Sequence, residues 1–240
     1  MSRFHHHVSP EVFALAPGYA LGVLVFDGCD NSGAAPQAQA LLREAEAQVR
    51  VHSALPVAQW PEVLAWREAY RRFGAKPAEH RSSIEAMLRR VLKPDALPAI
   101  NPLVDIGNAL SLRHRLPLGV HPIAQLPREV ALRVAEQGDR FLAAEGAEPE
   151  APAPGEVVLA CGHDVLTRRW TWRQSTLTRT LPDTRRVFFN IDALPPVGPA
   201  ALDTAMRDVA DAVRSCCAGR LVGSAVLTAE RAAFECAFGG

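Results

Sequence analysis

The stretch Arg168-Arg169-Trp170-Thr171-Trp172-Arg173-Gln174-Ser175 joins two indoles to three guanidinium groups within eight residues. Read as a strand, it puts Trp170 and Trp172 on one face and Arg169, Thr171 and Arg173 on the other. Two indoles side by side could stack a base while neighbouring Arg groups hold phosphate. A core face backed by an Arg-bearing solvent face is the plainer reading. A second constellation, in Asn101 to Ser111, spaces Asp105, Asn108 and Ser111 at i, i+3 and i+6, roughly one polar face of a helix that an ordinary solvated surface explains as well. Arg71, Arg72, Lys76 and Arg81, with Arg67, Arg89, Arg90 and Lys93, make the helical region locally basic, although Glu62, Glu68, Glu79 and Glu85 dilute it. Such a face is either solvated or a phosphate contact to an RNA acceptor stem. His5, His6 and His7 offer imidazoles for a transition metal, but three consecutive residues close no coordination shell unaided, and a mobile polar end is the simpler expectation. Cys161-Gly162-His163-Asp164 reads as turn chemistry between two strands. The chain has no HExxH, CxxC, GxSxG, GxGxxG or GxxxxGK[ST] pattern, so neither a zinc-protease centre nor a familiar phosphate cradle is indicated.

These residues need elements to hold them. Ala20 to Phe26 is an apolar run suited to a strand buried on both faces, ending in turn-prone residues from Asp27 to Gly33. Pro36 opens a helix with Ala38, Leu41, Leu42, Ala45 and Val49 at helical spacing. Pro61 starts another, with Val63, Trp66, Tyr70 and Phe73 on one face and Gly74 as its stop. Ser82 and Glu85 suggest a capping box ahead of Ile84, Met87, Leu88 and Val91. Asn101-Pro102 caps a helix expected to end near His114. In the second half, 129–134, 156–161, 165–172, 185–192 and 221–227 have strand character, with a Pro-rich loop near 143–155 and a helix from Pro199. A helix-rich part, 36–115, followed by a strand-rich part, 128–240, argues for an α+β fold with a mixed or antiparallel sheet, in one domain spanning 1–240.

Composition narrows the function. The 240 residues carry 26 Lys+Arg against 26 Asp+Glu. That balance disfavours extended DNA binding by counterion release, though not a short local grip. All basic residues except Lys76 and Lys93 are Arg, so Arg clusters mean less here than elsewhere. No apolar run approaches the about 20 residues a membrane span needs, and five cysteines without a CxxC pair read as reduced thiols in the cytoplasm.

Taken together, LVDIGNALSLRHRLPLG (103–119) and TRRWTWRQSTLTRTLPDTRRVFFNIDALPP (167–196) resemble the B3/4 domain, which occurs in the β subunit of bacterial phenylalanyl-tRNA synthetase and as free-standing proteins. VSPEVFALAPGYALGVLVFDGCDN (8–31) and WREAYRRFGAKPAEHRSSIEAMLRRVL (66–92) extend the resemblance, as in the free-standing branch, over most of the chain. It implies a B3/4-type sandwich and an editing pocket, which in the synthetase removes tyrosine wrongly esterified to the phenylalanine tRNA. Asn108 matches a pocket asparagine and Pro117 the proline after it. Gly119 falls where the synthetase has a histidine, with His121 two residues on. RRWTWRQS (168–175) replaces a glycine-rich loop, placing Trp170, Trp172, Arg173 and Ser175 at the substrate. Asn190 falls at a pocket glutamate, and Asp192 shares its strand face. These departures imply a substrate other than the synthetase's.

The resemblance therefore implies an aminoacyl-tRNA deacylase acting in trans, with no cofactor or metal. Asp192 or His121 would orient the water, while Asn108, Ser111 and Arg173 would supply donors. Gly119, Trp170, Trp172, Ser175 and Asn190 would line the substrate, and Arg71, Arg72, Lys76 and Arg81 would meet the tRNA. The alternative is a non-catalytic module that binds tRNA or an amino acid. The amino acid, the tRNA and the oligomeric state are not legible.

Overall fold

A computed structural model describes residues 3–33, 35–51, 55–123 and 129–238. The ends of the strand-rich half, residue 128 and residues 239–240, lie outside them. In chain order the elements are β1 (Arg3–Val8), α1 (Pro10–Leu15), β2 (Ala20–Asp27), α2 (Pro36–Val51), α3 (Pro61–Arg72), α4 (Ser83–Val91), α5 (Pro102–His114), β3 (Leu118–Pro122), β4 (Glu129–Val134), β5 (Arg140–Phe141), β6 (Val157–Cys161), β7 (Asp164–Arg168), β8 (Arg173–Gln174), β9 (Val187–Ala193), α6 (Pro199–Cys217), β10 (Arg220–Leu227) and β11 (Ala233–Ala237).

Two sheets form. One is antiparallel, in the order β10-β2-β9-β3; the other is mixed, in the order β11-β1-β4-β6-β7-β5, with β8 on β7. Period-two alternation along β9 decides how they stack. Val187, Phe189 and Ile191 join Leu24 and Phe26 of β2 against α5 and α6, where Leu103, Ile106, Leu110, Leu202, Val209 and Val213 complete an apolar layer. Phe188 faces the other way and meets Phe4 of β1, ring centroids 5.0 Å apart. Val130, Leu132, Val157 and Leu159 of the mixed sheet join that second layer, as do Trp66 and Tyr70 of α3 and Ile84 and Leu88 of α4. The result is the α+β arrangement the patterning predicts, with helices on the outer face of the antiparallel sheet and beside the sandwich.

Local signals set most boundaries. Asn101 Oδ1 accepts from Val104 N at 3.1 Å with Pro102 in the first turn, and α5 ends at His114 as expected, with Arg115 left-handed at φ 56°. Ser82 Oγ accepts from Glu85 N at 3.4 Å. Only that half of the capping box forms, because the Glu85 carboxylate pairs with Arg67 at 2.7 Å and Arg89 at 3.0 Å.

Two expectations are overturned. His5, His6 and His7 are not a loose end but the middle of β1, antiparallel to β11 and parallel to β4. Nor do residues 165–172 form one strand. β7 stops at Arg168, and Arg169 (φ 46°) and Trp170 (φ 65°) are left-handed, so Trp170 and Trp172 do not share a strand face. Left-handed backbone at non-glycine residues costs about 1–2 kcal/mol each, and Glu156 holds it in place. Its carboxylate takes Arg168 Nε and Nη2 at 2.9 and 2.8 Å and Arg169 N at 3.0 Å.

Candidate functional site

Between the two sheets, at the end where β3, β9 and the β7–β8 turn meet, lies a cleft of about 90 Å³. Its lining includes Pro117, Gly119, His121, Trp170, Thr171, Trp172, Arg173, Gln174, Asn190 and Asp192. Alternation on β9 sends Asn190 and Asp192 to this side, and the register with β3 sets Gly119 beside Asn190 and His121 beside Phe188. His6 approaches from the opposing sheet, its ring edge-on to Phe188 at 5.8 Å.

Asp192 is the most perturbed acid here. Tyr19 Oη donates to its Oδ1 at 2.6 Å and Trp170 Nε1 donates to the same atom at 3.1 Å. Burial penalises the carboxylate more than those two donors stabilise it, and its pKa rises to about 7. Burial also pushes the Tyr19 hydroxyl well up, reinforced by the neighbouring Asp192. With both hydrogen bonds on Oδ1, no described residue donates to Oδ2. The left-handed turn at Arg169 and Trp170 makes this possible by turning the Trp170 indole back into the sandwich, packed against Trp66 and Tyr19.

His121 is also buried, and burial lowers its pKa to about 3, so the ring is neutral. Nδ1 lies 3.1 Å from Thr178 Oγ1 and 3.2 Å from the Gln174 amide nitrogen. That amide donates to the carbonyls of Thr178 and Val120 at 2.6 and 3.0 Å, which fixes its orientation. Both amide hydrogens are thereby taken, so the Thr178 hydroxyl is the group that pairs with Nδ1: where it donates, the ring proton sits on Nε2. Nε2 points past Gly119, where an added Cβ would come within 3.0 Å of it. His6 has its pKa lowered to about 3, mainly by burial and then by His7. Asn190 lies within its reach without an aligned hydrogen bond, and neither His6 ring nitrogen nor Asn190 Oδ1 has a partner.

The structure brings Asp192, His121, Gly119, Asn190, Trp170, Trp172 and Arg173 to one cleft. Trp170 belongs to the core and contributes its N–H, whereas Trp172 is half-buried under the Arg169 guanidinium, 4.4 Å from its ring centroid. Asn108, Ser111 and Ser175 do not line the cleft. Asn108 and Ser111 sit on α5, and Ser111 Oγ donates to Leu116 O at 2.6 Å to close the helix end. Ser175 caps the short 3-10 turn Thr176–Thr178 and borders a neighbouring hollow of about 540 Å³ whose walls include Ile100, Val104 and Leu181. That hollow contains none of the buried titratable groups. Arg71 and Arg72 pair with Glu68, and Lys76 with Glu79, while Arg81 stands 4.0 Å from Glu85. The basic face is therefore largely neutralised by its own acids.

Tyr19, which donates to Asp192, Gln174, which lines the cleft beside His121, and His6, buried against Phe188, hold positions that their motifs do not announce. Tyr19 precedes the β2 run and His6 lies in a triplet that reads as polar tail. Only the period-two inward placement of His6, once β1 is recognised as a strand, singles it out.

No curated protein matches the chain. Among solved structures, an N-terminal fragment of the phenylalanyl-tRNA synthetase β subunit from Pyrococcus horikoshii superposes with a TM-score of 0.46 at 10% identity, over 90% of this chain and 49% of that one. The chain thus spans about half the length of that fragment. The family model of the B3/4 domain matches residues 65–217, more than half of the 240 residues, and the chain belongs to the B3/4 domain family.

Proposed function

We propose that the cleft hydrolyses the ester linking an amino acid to the 3′ end of a tRNA, acting in trans on a mischarged species. The observation that carries this reading is the Asp192 carboxyl. It is buried and held on Oδ1 by Tyr19 and Trp170, and its pKa of about 7 suits a general base at neutral pH. Oδ2 would take a proton from the attacking water. The His121 Nε2–H and the Arg173 guanidinium, at the same cleft, would serve as donors to the developing oxyanion. A volume of about 90 Å³, well below the about 300 Å³ at which ordinary ligand pockets begin, suits the ester and a short side chain better than tyrosine. Arg71, Arg72, Lys76 and Arg81 would meet the tRNA weakly, since each faces a glutamate.

A second reading, a binding module without hydrolysis, draws on Trp170, which fills core space at 2% exposure rather than walling an open pocket. A deacylation assay over a panel of correctly and incorrectly charged tRNAs separates the two. Release of one mischarged amino acid, slowed at least about 100-fold by Asp192→Asn, supports hydrolysis. Binding of tRNA with no release of any ester at micromolar protein supports the module.

A further inference from the structure

Strand alternation on β1 turns His6 into the sandwich and His5 and His7 outward. The parallel register with β4 sets Glu129 opposite His5 and the small Ala131 opposite His7. His5 Nδ1 and His7 Nδ1 lie 3.3 and 3.4 Å from the same atom, Glu129 Oε1. The three donor atoms all fall within 4.8 Å of one another. His7 Nδ1 is buried and has no hydrogen-bond partner. A tetrahedral zinc ion, with ligand bonds of about 2.0–2.1 Å, spaces its ligands about 3.3–3.4 Å apart. Both nitrogen–oxygen separations have that value.

We propose that His5, His7 and Glu129 form a Zn²⁺ site on the outer face of the mixed sheet, with a fourth position open to water. Two neutral imidazoles and one carboxylate suit zinc better than magnesium or calcium, which prefer all-oxygen shells. The ligands are preset, because β1 is paired on both sides, with β11 and with β4. Arg133, whose charge acts on His7, is held by both oxygens of Asp139 at 2.8 and 2.9 Å and is drawn to that side. A metal here cross-links β1 to β4, the strand whose Leu132 lines the cleft.

The test uses the full chain, stripped with EDTA and titrated with ZnCl₂ by calorimetry at pH 7.5, and with Co²⁺ by absorption spectroscopy. The expected result is uptake of one equivalent with visible bands of a four-coordinate cobalt site. His5→Ala and Glu129→Gln, both at partly exposed side chains, should each weaken uptake at least tenfold. His163→Gln, which removes a surface imidazole elsewhere, should leave uptake unchanged. Absence of stoichiometric uptake, or uptake retained by the doubly substituted His5→Ala/Glu129→Gln protein with a native circular dichroism spectrum, overturns the site.

Discussion

The two faces of β9 differ by one residue of register and by almost everything else. Val187, Phe189 and Ile191 lie in an apolar layer against α5 and α6. Phe188, Asn190 and Asp192 face the mixed sheet, where His6, His121 and Tyr19 join them among buried polar groups. Burying a polar group without full compensation costs about 1–3 kcal/mol, and Asn190 Oδ1 and both His6 nitrogens lack partners. The first face makes the fold stable; the second gives up stability to keep polar atoms dry at one end of the sandwich. Local consistency on one side and local conflict on the other is the pattern expected of a functional site.

The strongest way to break this contrast is to truncate each face in turn. Phe189→Ala should lose about 3–5 kcal/mol of stability in urea denaturation, while the folded fraction keeps its kcat. Asp192→Asn should do the reverse. Hydrolysis should fall at least about 100-fold, about 2.7 kcal/mol of barrier, while the protein becomes more stable at pH 8. The sign follows from linkage. Folded Asp192 keeps its proton to about pH 7, and the ordinary value is 3.8. Folding therefore takes up a proton at Asp192 between those values, so this group's contribution to stability falls as pH rises from about 4 to about 7. Replacing the acid by its neutral isostere should restore up to about 4 kcal/mol above pH 7. A thermal melt of Asp192→Asn that is unshifted at pH 8 would contradict this account.

Glu156→Gln tests the turn that couples the two faces. Leaving Arg168 buried with a weakened partner should cost about 3 kcal/mol and red-shift tryptophan fluorescence as Trp170 loosens. If the emission stays put, the turn is held by something other than Glu156. The pH profile sharpens the comparison within the cleft itself. For a base at Asp192, kcat/KM should climb with pH and level off above about 7. His121 acts oppositely on stability. It stays neutral in the fold to about pH 3, whereas its ordinary value is 6.5, so protons bind the unfolded chain preferentially in that window. Its contribution to stability should drop by up to about 1.4 kcal/mol per pH unit below 6.5, with His6 acting in the same direction and Asp192 against both, and His121→Gln should remove that share of the slope. The smallest effect belongs to Gly119→Ala, whose new methyl would meet His121 Nε2 at 3.0 Å. A few-fold rise in KM with unchanged urea midpoint would place Gly119 in substrate fit, and unchanged kinetics would remove it.

Much of the framework was legible from local chemistry. Proline at a first helical turn marks α2, α3, α5 and α6 at their observed starts, alternation marks β4, and apolar runs between turn-prone stretches mark β6 and β9. What escaped has a common cause, which is that pairing partners far away in sequence decide it. β1 reads as polar because two of its three histidines point out, and only β4 and β11 make it a strand. β3, LGVHP, is five residues with a terminal proline and has no pattern of its own. The indole pair failed because Glu156, twelve residues before Arg168, bends the chain where a period-two reading continues it. At the site, His121 and Asn190 were reached through the family resemblance and Asp192 through the strand face it shares with Asn190, but Tyr19 carries no signal until Asp192 is seen beneath it. Asn108 and Ser111 share a helix face in sequence, yet that face does not reach the cleft.

The pairing of β1 also governs how the molecule forms. Arg3 lies opposite Ala237, and His5 opposite both Glu235 and Glu129. Contacts spanning over a hundred positions must close large loops before any enthalpy is returned, and chains dominated by them fold slowly. During synthesis β1 emerges first and stays without its antiparallel neighbour until β11 has been made. The strand that carries His6 is therefore among the last parts to set, and until β11 is made the nascent chain exposes an unpaired strand edge.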